Sequence, residues 1–449
     1  MHVVRKLLRG NAGSGFVVPA LAVLGFMVPG LAQARDIHAT PETYTSHLSA
    51  LEPGDRLLLA PGLYRRGLRL HGVNGTPAAP IAIVGPAGGE RARFLARNGA
   101  NTVSLRDVSH LVIDALDLDG LKRNADAVKA ESESRYAHHV TLSRLRITGH
   151  DADQQIVGIS IQSPAWDWQI RDCEILGAGT GLYLGRSDGS AGLVGGVIER
   201  NVIRDTIGYN LQIKHQTQRP AAPGMPEGRR LILVRQNVFS KRTGSAVGSQ
   251  ARPNVLVGHF PRSGAGAEDM HVIERNVFYE NRAEALLQAE GNVALYNNVF
   301  VNSSGPAVVI APHNARPRRL AVFNNTILAT GAGLSISGIE SGFSPAVIGN
   351  AVFAQGANRG WHRAGNLSLA WEDAGRYLRA PYLLPPALDL SPLRPLPMND
   401  GVLPMALTGL PGAKLDLAGE RRDGRLHGAY VPTDTPHPIS LEHPPITRR

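Results

Sequence analysis

Apolar and polar residues alternate over short stretches between about residues 50 and 355, and glycine or polar turn residues separate these stretches. Examples are GLYLG at 181–185, YNLQIK at 209–214 and GLSIS at 333–337. Alternation with a period of two over four to six residues predicts β-strands, and the stretches show no helical period. The hydrophobic pattern therefore predicts an all-β protein.

A phrase built around asparagine recurs along the chain. Its spacing runs from 22 to 39 residues when the equivalent upstream positions Leu116, Leu145 and Cys173 are included. A repeat of this length, with two or three short strands in each unit, predicts a right-handed, single-stranded parallel β-helix, which is a solenoid. Stacked coils lie about 4.8 Å apart, so the asparagines are expected to form an internal ladder. The phrase reads ERNVI at 199–203, RQNVF at 235–239, ERNVF at 274–278, YNNVF at 296–300, FNNTI at 323–327 and IGNAV at 348–352.

The chain divides into three predicted segments. Residues 1–34 have a basic start, an apolar run over 16–28 and a small-residue Ala-Gln-Ala end, which is typical of a cleaved signal peptide and predicts a periplasmic or secreted protein. Residues 35–359 are predicted to form the β-helix. Residues 360–449 are rich in proline and leucine, which predicts an extended segment with a cap that packs on the helix. No later stretch is apolar enough to predict a membrane span.

Composition narrows the class of partner. The single cysteine, Cys173, cannot form an intrachain disulfide, so stability is expected to come from the continuous core. The formal net charge is +10, which in an exported protein points to an anionic polymer, although plain solubility would also use it. Few aromatic side chains are available to stack on bases, so nucleic acid is not expected. The expected partner is an anionic polysaccharide, bound by a monomer.

The alternation also predicts which side chains point outward. When the aliphatic residues of the second strand in each coil face inward, the opposite face becomes polar in the middle coils; SAVGS at 245–249 is taken as one of these strands. Amides bind sugar hydroxyls and cations bind carboxylates or sulfates, so this face predicts a sugar-binding groove, with an ordinary solvated sheet face as the alternative. The predicted substrate-binding residues are Lys129, Glu131, Gln162, Gln212, Arg219, Gln250, Gln288, Glu290 and His313.

Two segments resemble known β-helix proteins. Residues 51–89 contain a Gly-Asp turn, then Gly-Leu-Tyr, Gly-Thr and Pro-Ile at 54–55, 62–64, 75–76 and 80–81. This order resembles the first segment of secreted pectate-lyase-like proteins, and especially the alginate- and chondroitin-cleaving lyases of polysaccharide lyase family six. Residues 416–431, DLAGERRDGRLHGAYV, resemble the closing segment of many bacterial β-helix proteins. These motifs specify the fold well and the reaction poorly.

The resemblance implies a catalytic centre around Lys214. Family-six lyases place a lysine base and an arginine on neighbouring coils, and here Lys214 and Arg252 match them. Removal of the C5 proton of a uronate needs a base, and cationic neighbours such as His215 and Arg219 are expected to lower the pKa of Lys214. Tyr183 is one coil away and is expected to protonate the leaving oxygen. The predicted catalytic residues are Lys214, His215, Tyr183 and Arg252.

The chain also departs from that family. Those lyases often hold Ca²⁺ with several acids, whereas Glu131 and Glu290 are far apart by coil count, and no acids show metal-ligand spacing. No metal ligands are predicted, and calcium is implied by the resemblance alone. The chain lacks the clustered aspartates of polygalacturonase-type hydrolases and the Asp-Pro-His-Asp motif of the alginate epimerases. A glycoside hydrolase or epimerase, and a non-catalytic binding or scaffold protein on the same fold, are the alternatives to a lyase.

Overall fold

In the computed structural model, short strands follow one another along nearly the whole of the described chain. The structure describes residues 34–356, 358–362, 364–398 and 402–445. The predicted signal peptide, residues 1–34, lies outside these ranges except for Ala34. The strands, in chain order, are β1 (Asp36–Ala39), β2 (Arg56–Leu59), β3 (Gly62–Tyr64), β4 (Leu68–His71), β5 (Ile81–Val84), β6 (Ala92–Leu95), β7 (Val103–Arg106), β8 (Val108–Asp114), β9 (Leu116–Asp119), β10 (Val128–Ala130), β11 (Ala137–Ser143), β12 (Arg146–His150), β13 (Val157–Ile161), β14 (Ala165–Arg171), β15 (Glu174–Ala178), β16 (Thr180–Leu184), β17 (Leu193–Glu199), β18 (Val202–Arg204), β19 (Leu211–Ile213), β20 (Leu231–Arg235), β21 (Val238–Ser240), β22 (Val255–Val257), β23 (Met270–Glu274), β24 (Val277–Tyr279), β25 (Leu287–Ala289), β26 (Val293–Tyr296), β27 (Val299–Asn302), β28 (Val308–Ile310), β29 (Leu320–Phe323), β30 (Thr326–Ala332), β31 (Leu334–Ile336), β32 (Ala346–Ile348), β33 (Ala351–Gly356), β34 (Leu367–Leu369), β35 (Leu378–Ala380) and β36 (Asp389–Pro392).

Helical elements are few and short. The α-helices α1 and α2 span Tyr44–His47 and Met405–Thr408. Three 3₁₀ turns span Leu48–Ala50, Gly248–Gln250 and Trp371–Arg376. The described chain is therefore almost entirely β structure, as the alternation of apolar and polar residues predicts.

Three long parallel sheets are wound by the chain in turn. Sheet A has the order β1-β2-β5-β8-β11-β14-β17-β20-β23-β26-β29-β32. Sheet B has the order β3-β6-β9-β12-β15-β18-β21-β24-β27-β30-β33-β34, and sheet C has the order β4-β7-β10-β13-β16-β19-β22-β25-β28-β31. Each coil visits A, then B, then C, so strands from successive coils pair in parallel. The protein is a right-handed parallel β-helix, which confirms the predicted fold class.

The recurring asparagines form the expected ladder at the corner between sheets A and B. The side-chain oxygen of Asn237 accepts hydrogen bonds from the backbone and side-chain amides of Asn201, at 2.9 and 3.0 Å. The same pair of bonds links each later asparagine to the next. The residue before each of these asparagines has a left-handed φ, such as 53° at Arg200, which turns the chain and points the amide inward. The ladder residues are Asn201, Asn237, Asn276, Asn298, Asn325, Asn350 and Asn366.

The C-terminal segment lies along the outside of the later coils. Leu388 and Leu390 pack with valines on the outer face of sheet B, and Leu403 and Leu407 pack against the outer face of sheet A. The parallel stack itself continues past residue 359, because β34 pairs with β33. Since apolar segments cover the later coils of sheets A and B, sheet C is the face whose outward polar column stays accessible.

One predicted strand of sheet C is wrong. SAVGS at 245–249 does not pair; its Val247 is 71% exposed and a 3₁₀ turn begins at Gly248. The strand of this coil is β22, and Asn254 directly before it donates to the backbone oxygens of Phe239 and Tyr279. This coil carries an insertion, and the compact Val-Leu-Val run of β22 forms a better buried strand than the glycine- and serine-rich stretch before it.

Candidate functional site

The outer face of sheet C, called the groove below, carries one column of residues in register. Lys129 pairs with Ser160, Ser160 with Tyr183, and Tyr183 with Gln212. The column continues through Leu256 and Gln288 to Val309. In each strand the flanking aliphatic side chains are buried, which is why the alternation predicted this face correctly. Lys129, Tyr183 and Gln288 are half-exposed, whereas Gln212 is buried among its neighbours.

The N-terminal end of the groove carries four arginines that sequence reasoning missed. Together with His71, Arg66, Arg69, Arg97 and Arg106 line a cleft of about 380 Å³. Arg69 and Arg106 occupy outward positions of β4 and β7, so extending the register to the first coils would have found them. Glu131 also lies here, where it accepts hydrogen bonds from Asn101 Nδ2 at 3.0 Å and Ser104 Oγ at 2.7 Å.

A second cleft, of about 300 Å³, lies in the middle of the groove. Lys129, Gln162, Tyr183, Tyr209 and Arg252 all line it. The guanidinium carbon of Arg252 lies 6.0 Å from the centre of the Tyr209 ring, and the Lys129 ammonium lies 3.2 Å from Asp126. Of these residues, sequence reasoning missed Tyr209 and Asp126. This cleft combines amide, phenol and cationic groups, which are the groups that bind hydroxyls and anions.

Lys214 lies beside this cleft, with its ammonium nitrogen 5.8 Å from the centre of the Tyr183 ring. Glycines flank it in both neighbouring coils: a Cβ added at Gly185 would lie 3.1 Å from Lys214 Cβ, and Gly258 packs against the backbone of His215. Glycine at these two positions lets the neighbouring coils pack closely against the backbone that carries Lys214 and His215.

Burial lowers the pKa of Lys214, and the Glu290 carboxylate partly offsets this. The predicted cause, crowding by cations, is wrong: burial is the larger effect and the nearby charge that acts on Lys214 is an anion. Burial also raises the pKa of Tyr183, so its phenol holds its proton at neutral pH.

His215 packs against the next coil. Its ring stacks on His259 at 5.2 Å between centroids, and its Nδ1 is buried without a hydrogen-bond partner among the described residues. Burial, His259 and Lys214 lower its pKa. His313 is exposed on the loop that follows β28.

Three residues predicted to bind substrate make contacts within the protein instead. Arg219 is only 7% exposed and pairs with buried Asp269 at 3.1 Å. Glu290 is 1% exposed, and its oxygens accept hydrogen bonds from the backbone amides of residues 313–315. Gln250 lies on a 3₁₀ turn, where its carbonyl accepts a hydrogen bond from Gln154. The alternation rule does not apply to Arg219 and Gln250 because neither belongs to a strand.

Lys241 is a buried lysine behind the central cleft. Its ammonium nitrogen donates to the carbonyl oxygen of Arg252 at 2.8 Å. Burial lowers its pKa to about 7, which Glu284 partly opposes. Lys241 therefore holds the backbone that carries Arg252 in place.

Ion pairs are distributed unequally over the three sheets. On sheets A and B, most arginines pair with acids of a neighbouring coil, as in Arg91–Asp117 at 2.5 Å and Arg235–Glu199 at 2.7 Å. Arg171 and Arg204 are the exceptions within the strands that the structure describes. Among the described residues, the cations that lack any carboxylate oxygen within 4.0 Å include Arg69, Arg106, Lys214 and Arg252 of the groove.

The groove does not fit calcium. Asp126 is paired with Lys129 and accepts the Val157 amide, while Glu131 and Glu290 accept the hydrogen bonds already described. Across the described ranges, the acids of the groove do not converge as a set of three. Ca²⁺ takes six to eight oxygen ligands, which these acids cannot supply.

Within the described ranges, none of the helices has the length and apolar character that a membrane crossing requires.

Comparison with known proteins found no matching family model and no matching curated protein. The chain is similar to the A-module of the Azotobacter vinelandii mannuronan C-5 epimerase AlgE4, with 13% identity over 70% of this chain and 91% of that one, and a TM-score of 0.42. It is similar to the GH136 lacto-N-biosidase of Eubacterium ramulus, with 11% identity, 75% and 68% coverage and a TM-score of 0.45. For the PL6 alginate lyase AlyGC the values are 16%, 75% and 53%, and 0.39, so the chain spans about half of that enzyme. At these values the likenesses carry no information on the reaction.

Proposed function

We propose that the protein binds an acidic polysaccharide along the groove. The observation that carries this proposal is the set of unpaired cations along the groove, whereas most arginines on sheets A and B are neutralised by acids. Unpaired cations on an extended face attract a polyanion, and arginine binds carboxylates or sulfates in a bidentate manner. The groove spans successive coils about 4.8 Å apart, so a chain of several sugar units can contact it.

We further propose that the bound polymer is cleaved by β-elimination next to Lys214. The neutral amine of Lys214 takes the proton from C5 of a uronate, the C4–O bond breaks, and a C4=C5 double bond forms. The phenol of Tyr183 gives its proton to the departing oxygen. Lys129 and Arg252 lie near enough to the cleft to neutralise the substrate carboxylate while charge builds up on it.

Two features support these roles. Burial favours the neutral form of Lys214, which is the form that acts as a base, and keeps Tyr183 protonated, which is the form that acts as an acid. Both groups face one space at the edge of the central cleft.

Binding and cleavage are tested separately. Affinity for alginate, pectate, chondroitin sulfate and hyaluronan is measured at low and high salt, and absorbance of the unsaturated product follows cleavage. Arg69→Glu with Arg106→Glu is expected to weaken binding by at least tenfold and to reduce its salt dependence. Arg376→Glu changes an exposed arginine outside the groove and serves as the charge control. Equal affinity for both variants would contradict binding along the groove. Binding of a polysaccharide without formation of the unsaturated product would favour the non-catalytic alternative.

A further inference from the structure

Three histidines meet on the outer face of sheet A, away from the groove. The register pairs Ser109 with His138 and Leu111 with Val140, and His110 and His139 lie opposite one another between these pairs. Both have left-handed backbones, with φ of 48° and 50°. Their rings stack with centroids 4.4 Å apart, so two imidazoles from successive coils are held face to face.

His138 completes the group. Its Nδ1 lies 2.8 Å from Nδ1 of His139, and its ring lies flat on Trp166, with centroids 4.1 Å apart and planes inclined by 15°. Trp166 is buried and therefore fixes the orientation of this imidazole. One nitrogen from each of His110, His138 and His139 lies within 4.8 Å of the other two.

The carboxylate of Asp167 lies next to the histidines. Asp167 lies in the next coil, at the slot next to His139 in the register, and it also has a left-handed φ, of 53°. Its Oδ2 lies 3.6 Å from Nε2 of His139 and pairs with Arg230. The left-handed backbone recurs at this slot in the following coil, at Gly195, so it is a regular bend of sheet A that stacks these side chains.

We propose that His110, His138 and His139 bind one divalent transition-metal ion of the zinc class. Imidazole nitrogen is a preferred ligand of Zn²⁺, Cu²⁺ and Ni²⁺, and three histidines with one open position are a known arrangement for zinc. Two nitrogens on one tetrahedral zinc lie about 3.3 Å apart, given bonds of about 2.0–2.1 Å. The two Nδ1 atoms at 2.8 Å need to separate by only about half an ångström to reach this spacing.

Asp167 is the positioning residue of the site. With Nδ1 of His139 on the metal, Nε2 carries the proton and points towards the carboxylate. Such a contact fixes the tautomer of the ligand and raises its basicity. Arg230 pairs with the same oxygen, Oδ2 of Asp167, so the carboxylate is held as an anion beside His139 and is not itself needed as a ligand.

The test is titration of the chelator-treated full-length protein with ZnCl₂ in a calorimeter, and with CoCl₂ followed by visible absorption. The variants are His110→Gln, His139→Gln and Asp167→Asn. His38→Gln is the matched control, because His38 is exposed on β1 of the same sheet. Circular dichroism verifies that each variant keeps its β structure.

One zinc ion is expected per chain, with the absorption bands of a four-coordinate cobalt site. Asp167→Asn is expected to weaken binding by about 10–100-fold, each histidine variant by at least as much, and His38→Gln not at all. No binding by the wild-type protein would overturn the proposal. Equal affinity in the folded His110→Gln and His139→Gln variants would overturn it as well, since the metal would then lie elsewhere.

Discussion

The ammonium nitrogen of Lys214 lies 5.8 Å from the centre of the Tyr183 ring, although a full coil of the helix separates the two residues along the chain. Tyr183 pairs in register with Gln212, two positions before Lys214, so both side chains project from the same face. This relationship joins the proposed base and the proposed acid at one edge of the central cleft.

Replacing Lys214 with arginine keeps a positive charge and removes the base. We expect Lys214→Arg to lower kcat by about 10²–10⁴-fold with little change in KM, because general bases contribute about that much. The measurement is product absorbance on the best substrate of the panel. Lys414→Arg, at an exposed lysine of the C-terminal segment, is the control. Retained activity in Lys214→Arg would remove Lys214 from the mechanism.

The rate is expected to rise with pH. Burial lowers the pKa of Lys214, so the neutral amine becomes available below the usual range of lysine, while Glu290 opposes this effect. Glu290→Gln removes that opposing charge and is expected to move the rise in kcat/KM to lower pH. Profiles between pH 6 and pH 10 test this, with exposed Glu42→Gln as the reference. A shift to higher pH would contradict the assignment.

Arg219 is expected to matter for stability and not for binding. Arg219→Met leaves Asp269 buried without its cationic partner, which costs about 3–5 kcal/mol of unfolding free energy. Urea denaturation measures this loss. Adding Asp269→Asn is expected to recover part of it, because the neutral amide needs no counter-charge. A loss of polysaccharide affinity in the folded Arg219→Met variant would show that Arg219 does take part in binding.

The asparagine ladder is expected to depend on each of its members. Asn276→Ala removes the acceptor of the Asn237 amides and the donor to Val234 O, at 2.8–3.0 Å. Each buried polar group left without a partner costs about 1–3 kcal/mol, so we expect a loss of several kcal/mol in denaturant melts. Asn98→Ala, at an exposed loop position, is expected to change stability by less than about 0.5 kcal/mol.

Lys241 links stability to pH. Its folded pKa is about 7 and its unfolded value about 10.4, so between these values the unfolded chain binds a proton that the folded chain does not. The unfolding free energy is therefore not reduced by Lys241 above the unfolded pKa, and it decreases as pH falls towards 7. The unfolding free energy of Lys241→Met minus that of wild type is therefore expected to be about 2–3 kcal/mol larger at pH 7 than at pH 9.5. An equal difference at both pH values would contradict this.

The β-helical fold can be predicted from the sequence because the repeat is local. Each asparagine phrase contains its own strand, corner and core positions, so the ladder and the outward column through Lys129, Tyr183 and Gln288 follow from alternation within a strand. The repeat also contained a signal that we did not use. His110 and His138–His139 are separated by one coil spacing, so register alone would have placed the three imidazoles together.

The repeat predicts which residues face outward, but it does not predict what they meet. Arg219, Glu290 and Gln250 were assigned to the groove from spacing, yet a buried aspartate, backbone amides and a 3₁₀ turn determine their surroundings. These partners lie in insertions between strands, which have no periodicity to read. Sequence alone determined the coil, its core and its polar face, because those depend on near neighbours. Only the tertiary structure decided which charges are free, because ion pairing depends on contacts between residues far apart in the chain.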